Sequence, residues 1–220
     1  MSEQKMKYAR LDLGTIEAVF NKLGGMEGAH AFLRDELQVC KPTRLWREED
    51  GVIYFSVSSD GTEGVDWIKR LEAGGFRVGD YAKQVLRRPD LPCRPAGFKP
   101  TSGVTTEIAV LKGMLFGDRD FTTSNIRDLA TTRRKLITPN AEVSCLILEK
   151  FTDREIEAMG LLSTVVMHEP INDSDGDPSL LGAHRLDEGR WLVAYDDKLD
   201  YSWSRDYGFA FAVSQALSTE

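Results

Sequence analysis

Residues 208 to 213, Gly-Phe-Ala-Phe-Ala-Val, form an unbroken apolar run. In an extended chain Phe209, Phe211 and Val213 point one way, and Ala210 and Ala212 the other. A strand that is apolar on both faces has no side to give to water. It belongs in the middle of a sheet that is covered on both sides. The rest of the chain must therefore supply neighbouring strands and two covering layers.

The pattern upstream offers them. "GTIEAVFNKLGG" and "MEGAHAFLRDEL" carry apolar residues at helical spacing, and glycines close the first. "GVIYFSVSSDG", 51 to 61, is a strand bounded by turn residues. "TEGVDWIKRLEAGG" and "GDYAKQVLRR" read as helices, and "VTTEIAVLKGMLF" as a strand. "TTSNIRDLATTRRKL" reads as a helix, and Thr138 with Pro139 favours another over "ITPNAEVSCLILEK". In "FTDREIEAMG", Thr152 and Glu155 predict a capping box and Gly160 a stop. From 161 onward the texture is β: "LLSTVVMHEP", "GRWLVAY" and "GFAFAV" are short apolar runs between polar loops. The fold class expected is α+β. Residues 88 to 103, with four prolines and two glycines, predict a linker between an N-terminal α/β accessory region, 1–87, and a C-terminal domain, 104–220.

The chain has 220 residues and a net charge of −7, unevenly placed. Residues 65–139 hold 14 Lys/Arg against 8 Asp/Glu, and residues 151–220 hold 5 against 14. An acidic C-terminal third argues against phosphate-backbone binding there. In the basic middle, Arg133, Arg134 and Lys135 are the one tight knot, read here as the cationic end of a helix. Their alternative use is a nucleic-acid contact. The N-terminus lacks the apolar core of a secretory signal, and no run is long enough to span a membrane. Cys40, Cys93 and Cys145 are odd in number and widely spaced, as reduced thiols are. The location expected is cytoplasmic, with no membrane partner.

Candidate chemistry is sparse. Asp173, Asp175 and Asp177 have the 1, 3, 5 spacing of a calcium loop, because a hard cation needs several oxygens converging in one turn. Pro178 then stands where the turn wants glycine, and His184 where a bidentate Glu belongs. An acidic turn is the preferred reading, so no cofactor is expected, with calcium the alternative. A metal-dependent hydrolase or nucleic-acid-processing enzyme would draw on these acids with Glu169, His168 or His184. Phosphate-binding and nucleophile-elbow motifs are absent.

The tail is different. Seven of the twenty aromatics lie in residues 191–220, interleaved with Ser and Asp. Tyr and Trp offer large contact area at low entropic cost, and Ser and Asp offer adaptable hydrogen bonds, the mixture of a recognition surface. The candidate ligand-binding residues are Tyr195, Asp196, Asp197, Asp200, Tyr201, Ser202, Ser204, Asp206 and Tyr207. The partner would be a protein or another ligand. The competing reading makes the aromatics core and the acids their solvent-facing neighbours.

Two resemblances bear on this. "DGTEGVDWIKRLEAGGFRVGDYAK", "TEIAVLKGMLF" and "MHEPINDSDGDPSLL" resemble a family of candidate-phylum bacterial proteins of uncharacterised activity, which implies no chemistry. "GRWLVAYDDKLDYSWSRDYGFAFAV" resembles the C-terminal end of the variable proteins of diversity-generating retroelements. Those end in a Trp, a few variable residues, Gly-Phe and a last strand, matched here by Trp203, Gly208–Phe209 and Ala210 to Val213. The resemblance implies a C-type-lectin-like fold for 104–220 and ligand binding through the variable positions. Such retroelements mutate adenines, and every candidate residue above is a type reachable from an AAC or AAT codon. Many family members carry Arg after Gly-Phe, where this chain has Ala210.

Overall fold

A computed structural model describes residues 12–38, 44–88, 97–117, 121–186, 188–198 and 202–214. The chain divides into two units, 1–44 and 45–220. In the first, α1 (Leu13–Leu23) and α2 (Gly25–Leu33) form a helical pair. Asp12 caps α1 by accepting from the Thr15 N–H at 2.6 Å, and Gly24 ends it at φ 90°, a conformation L residues avoid.

The second unit is built on one mixed sheet. Its strands are β1 (Arg47–Glu49), β2 (Val52–Asp60), β3 (Arg77–Val78), β4 (Ser102–Lys112), β5 (Leu136–Ile137), β6 (Ser163–Val166), β7 (Ile171–Asn172), β8 (Pro178–Leu186), β9 (Gly189–Asp196) and β10 (Tyr207–Val213). The main order is β1-β2-β4-β10-β6-β8-β9-β3, with β5 beside β10 and β7 beside β8. β10 lies at the centre, antiparallel to β4 and parallel to β6. The helices are α3 (Gly64–Ala73), α4 (Asp80–Arg87), α5 (Thr123–Asp128), α6 (Val143–Lys150) and α7 (Asp153–Ala158), with a π turn continuing α5 over 129–133. The chain is thus α+β.

Alternation along the strands divides the core in two. Ala210 and Ala212 join Ile53, Phe55, Ile108, Val110, Val166 and Leu181 on the face covered by α3, α4 and α6. Phe209 and Phe211 join Val52, Ala109, Leu111, Val165 and Leu180 on the other face, under Phe116, Phe121, Ile126 and Trp203. Small residues in β10 face α3, α4 and α6, and large ones face the layer that holds Phe121, Ile126 and Trp203. The first position of that run must stay bare: a Cβ on Gly208 would lie 2.5 Å from Val110 Cγ1 and 3.1 Å from Leu161. The capping box of α7 is formed, with the Glu155 carboxylate accepting from the Thr152 N–H at 2.8 Å.

The division of the chain falls at 44/45 instead of around 88–103. β2 and β4 stand on opposite sides of that stretch in sequence, yet pair from Val52↔Leu111 to Asp60↔Ser102. Their side chains share one core. Prolines and glycines mark a turn equally well within a domain as between two, which is why composition alone put a boundary there. Of that stretch, 89–96 lie outside the described residues, as do Cys40 and Cys93. Phe98 is buried, and Cys145 is a buried free thiol.

Candidate recognition surface

β9 pairs with β8 and β10 with β6, and Trp203, between β9 and β10 in sequence, joins the core that holds Phe209 and Phe211. Tyr195, the last residue but one of β9, is half-buried with its ring over Gly182, where a Cβ would meet Tyr195 Cε2 at 2.8 Å. Its hydroxyl shares a hydrogen bond with Ser163 Oγ at 2.7 Å and another with His184 Nδ1 at 3.1 Å. Burial holds the His184 pKa below its usual value, against the opposing charge of Asp206. Tyr207 opens β10, with its ring 5.8 Å from that of Tyr195 and 6.0 Å from His184. Both tyrosines thus belong to an aromatic platform more than to a free surface.

Trp203 completes the platform. It is 6 % exposed, lies 5.5 Å from Tyr195 and 5.4 Å from Phe209, and donates its Nε1–H to Thr123 Oγ1 at 3.0 Å. A buried indole N–H needs such a partner. Ser202 bridges to Thr122, and the Trp203 N–H donates to the Phe121 carbonyl at 3.4 Å. The loop is therefore stitched to the start of α5.

A second stitch is Asp197. Its side chain is 8 % exposed and both oxygens accept from Arg127 Nη2 at 3.1 Å. Around these anchors Asp196, Ser202, Ser204 and Asp206 are exposed. Lys198 donates to Asp196 at 2.7 Å, and the Ser204 hydroxyl donates to Asp206. Asp200 and Tyr201 lie outside the described residues. The nine candidates are thus divided: Tyr195, Asp197 and Tyr207 hold the platform, and four others face solvent. The anchoring partners Thr123, Arg127 and Ser163 carry no sequence signal, because each meets the tail across more than thirty residues of chain.

The acidic loop forms a turn. Asp173 is buried, and its Oδ1 accepts from the N–H groups of Asp175 at 2.9 Å and Asp177 at 3.0 Å. Its carboxylate thus closes the β7–β8 hairpin, leaving Asp175 and Asp177 exposed. His168 is buried with both ring nitrogens engaged, Nδ1 to the Glu169 carbonyl at 2.6 Å and Nε2 to the Leu181 N–H at 2.9 Å. Among the described residues no three His, Cys, Asp or Glu side chains come together to hold a metal. Arg133 closes the π turn after α5 and lines an open cleft of about 320 Å³ with Asn125, Asp128 and Leu129. No helix among the described residues is long and apolar enough to cross a membrane.

No protein-family model matches the chain, and neither a curated protein nor a solved structure is similar to it.

Proposed function

We propose that the chain is a ligand-binding protein that recognises its partner, a protein or another ligand, through the C-terminal surface around Trp203. The observation that carries this reading is the division of labour in residues 195–207. Trp203 and Asp197 are buried and bonded to α5, while Asp196, Ser202, Ser204 and Asp206 stand exposed beside them. A rigid base under adaptable polar groups is what a recognition surface requires. The same division supports kinship with the variable proteins of diversity-generating retroelements and a C-type-lectin-like arrangement of the strands after 104. Trp203 and Gly208–Phe209 would be the fixed frame, and the exposed Asp and Ser positions the variable ones.

The gene's surroundings test this. A reverse transcriptase gene nearby, with a second copy of the 3′ coding segment differing at adenines, is the expected finding. Mismatches should fall on the codons of the exposed positions and spare those of Trp203, Gly208 and Phe209. Absence of both elements from this genome and from those of close relatives would remove the retroelement reading.

A further inference from the structure

β1 and β2 meet at a two-residue turn, Asp50–Gly51, with φ of 50° and 75°, the hairpin geometry Asp-Gly favours. Glu49 and Val52 flank that turn and so exchange backbone hydrogen bonds. By the alternation of an antiparallel ladder, Val52 and Tyr54 direct their N–H and C=O groups towards β1. Ser56 and Ser58 then direct theirs to the same side. β1 ends at the Arg47↔Tyr54 pair, and the chain bends at Leu45. Among the described residues no strand pairs with Ser56 or Ser58 on that side, although β4 pairs with both on the other. An edge with unpaired donors and acceptors is a template for another strand.

This edge has a groove beside it. A cavity of about 320 Å³ runs between residues 56–58 of β2 and Leu146, Glu149 and Lys150 on one side of α6. Val57 and Leu146, both largely buried in the core, form its apolar floor. Arg70 closes one wall and is held by two carboxylates, Glu149, with Nε–Oε1 at 2.7 Å and Nη2–Oε2 at 2.6 Å, and Asp60. With Asp60 counted, the charges around the groove balance, and Lys150 is a cation on its rim with no carboxylate within ion-pairing distance among the described residues.

We propose that this edge and groove form a docking surface for an extended peptide segment of another protein. The segment adds a strand to β2 through the backbone of Ser56 and Ser58, seats an apolar side chain against Leu146, and sets an acidic side chain at Lys150. Main-chain pairing supplies affinity in such a mode, and the groove supplies selectivity. The surface shares no residue with the one around Trp203 and stands independently of it.

The test uses the full chain and peptides selected on it from a displayed random heptapeptide library. Enriched peptides should carry an acidic residue and slow amide exchange at Ser56 and Ser58 about tenfold or more, leaving Ile53 and Phe55 unchanged. Lys150→Glu should weaken their binding at least about fivefold, and Lys150→Gln should weaken it in the same direction. Thermal melts of both variants establish that they are folded. Failure to enrich any peptide overturns the proposal, as does binding that leaves Ser56 and Ser58 unaffected. Protection of those two amides in the free monomer would show that the chain covers its own edge. Protection rising with protein concentration, alongside a dimer in sedimentation, would show a second copy in the groove; either result overturns it.

Discussion

His168 shows how a single residue couples this fold to pH. The Leu181 N–H donates to Nε2, so the ring proton sits on Nδ1 and is donated to the Glu169 carbonyl. The ring is neutral and buried. Burial pushes its pKa down to about 4, with the Arg127 charge adding to the effect and the Glu169 bond opposing it. An unfolded chain protonates this imidazole near its ordinary value of about 6.5. Between those values the unfolded state binds a proton that the folded state does not. The stabilisation is complete above the unfolded value and is lost as pH falls towards 4, up to roughly 3 kcal/mol. Glu142 acts in the opposite sense, since burial raises its pKa against the Thr101 hydrogen bonds, so its contribution favours the acid side. Urea unfolding midpoints should fall between about pH 7 and pH 4.5, and in H168Q the curve should start lower and run flatter. A wild-type profile as flat as that of H168Q would show that His168 does not govern it.

At the scale of elements, what could be read from sequence depended on range. The helices α3, α4 and α7 and the strands β2, β4 and β10 each announce themselves by local period, glycine stops or a cap. β10 even declares its environment, since an apolar run on both faces has one stable home. β8 is hidden behind the acid spacing at 173–177, which draws the reading to a cation loop in which Pro178 only breaks the pattern. The turn at Asp173 satisfies backbone amides with a carboxylate, a role that leaves the same sequence mark as a metal ligand. In the tail the mixture of residues marks out the stretch, but only three-dimensional contacts separate Asp197 from Asp196. That separation predicts unequal costs. Trp203→Ala should destabilise by about 3–5 kcal/mol, through lost burial and an orphaned Thr123 hydroxyl. Asp197→Ala should cost about 2 kcal/mol, because it strands a largely buried Arg127. Alanine at Asp196, Ser202, Ser204 or Asp206 should stay within about 0.5 kcal/mol. Chemical denaturation of the six variants measures this, and comparable losses at the two groups would dissolve the distinction between base and surface.

At the scale of the molecule, the sheet sets the limits of independence. β4 is wedged between β2 and β10, and its residues alternate into both cores: Ile108 and Val110 on one face, Ala109 and Leu111 on the other. A cut at 103/104 would remove β2 and leave β4 as a long edge. It would also strip Ile53, Phe55, Trp67 and Leu71 from the core that Ile108 and Val110 share. The Arg70 guanidinium would go as well, and with it the tie from Asp60 on β2 and Glu149 on α6. Hydrophobic burial is the main favourable term in folding and net stability is small, so losing one wall of a core exceeds what remains. Residues 104–220 alone are therefore expected to show no cooperative melt and to bind a hydrophobic dye. Residues 45–220 should melt in one transition that coincides by near-UV and far-UV circular dichroism. A dispersed NMR spectrum and a sharp melt from 104–220 would mean that the C-terminal strands form a self-sufficient domain against which β2 merely leans. The aromatic platform under the tail would then survive, because Trp203, Tyr195, Tyr207 and Phe209 all lie within that fragment.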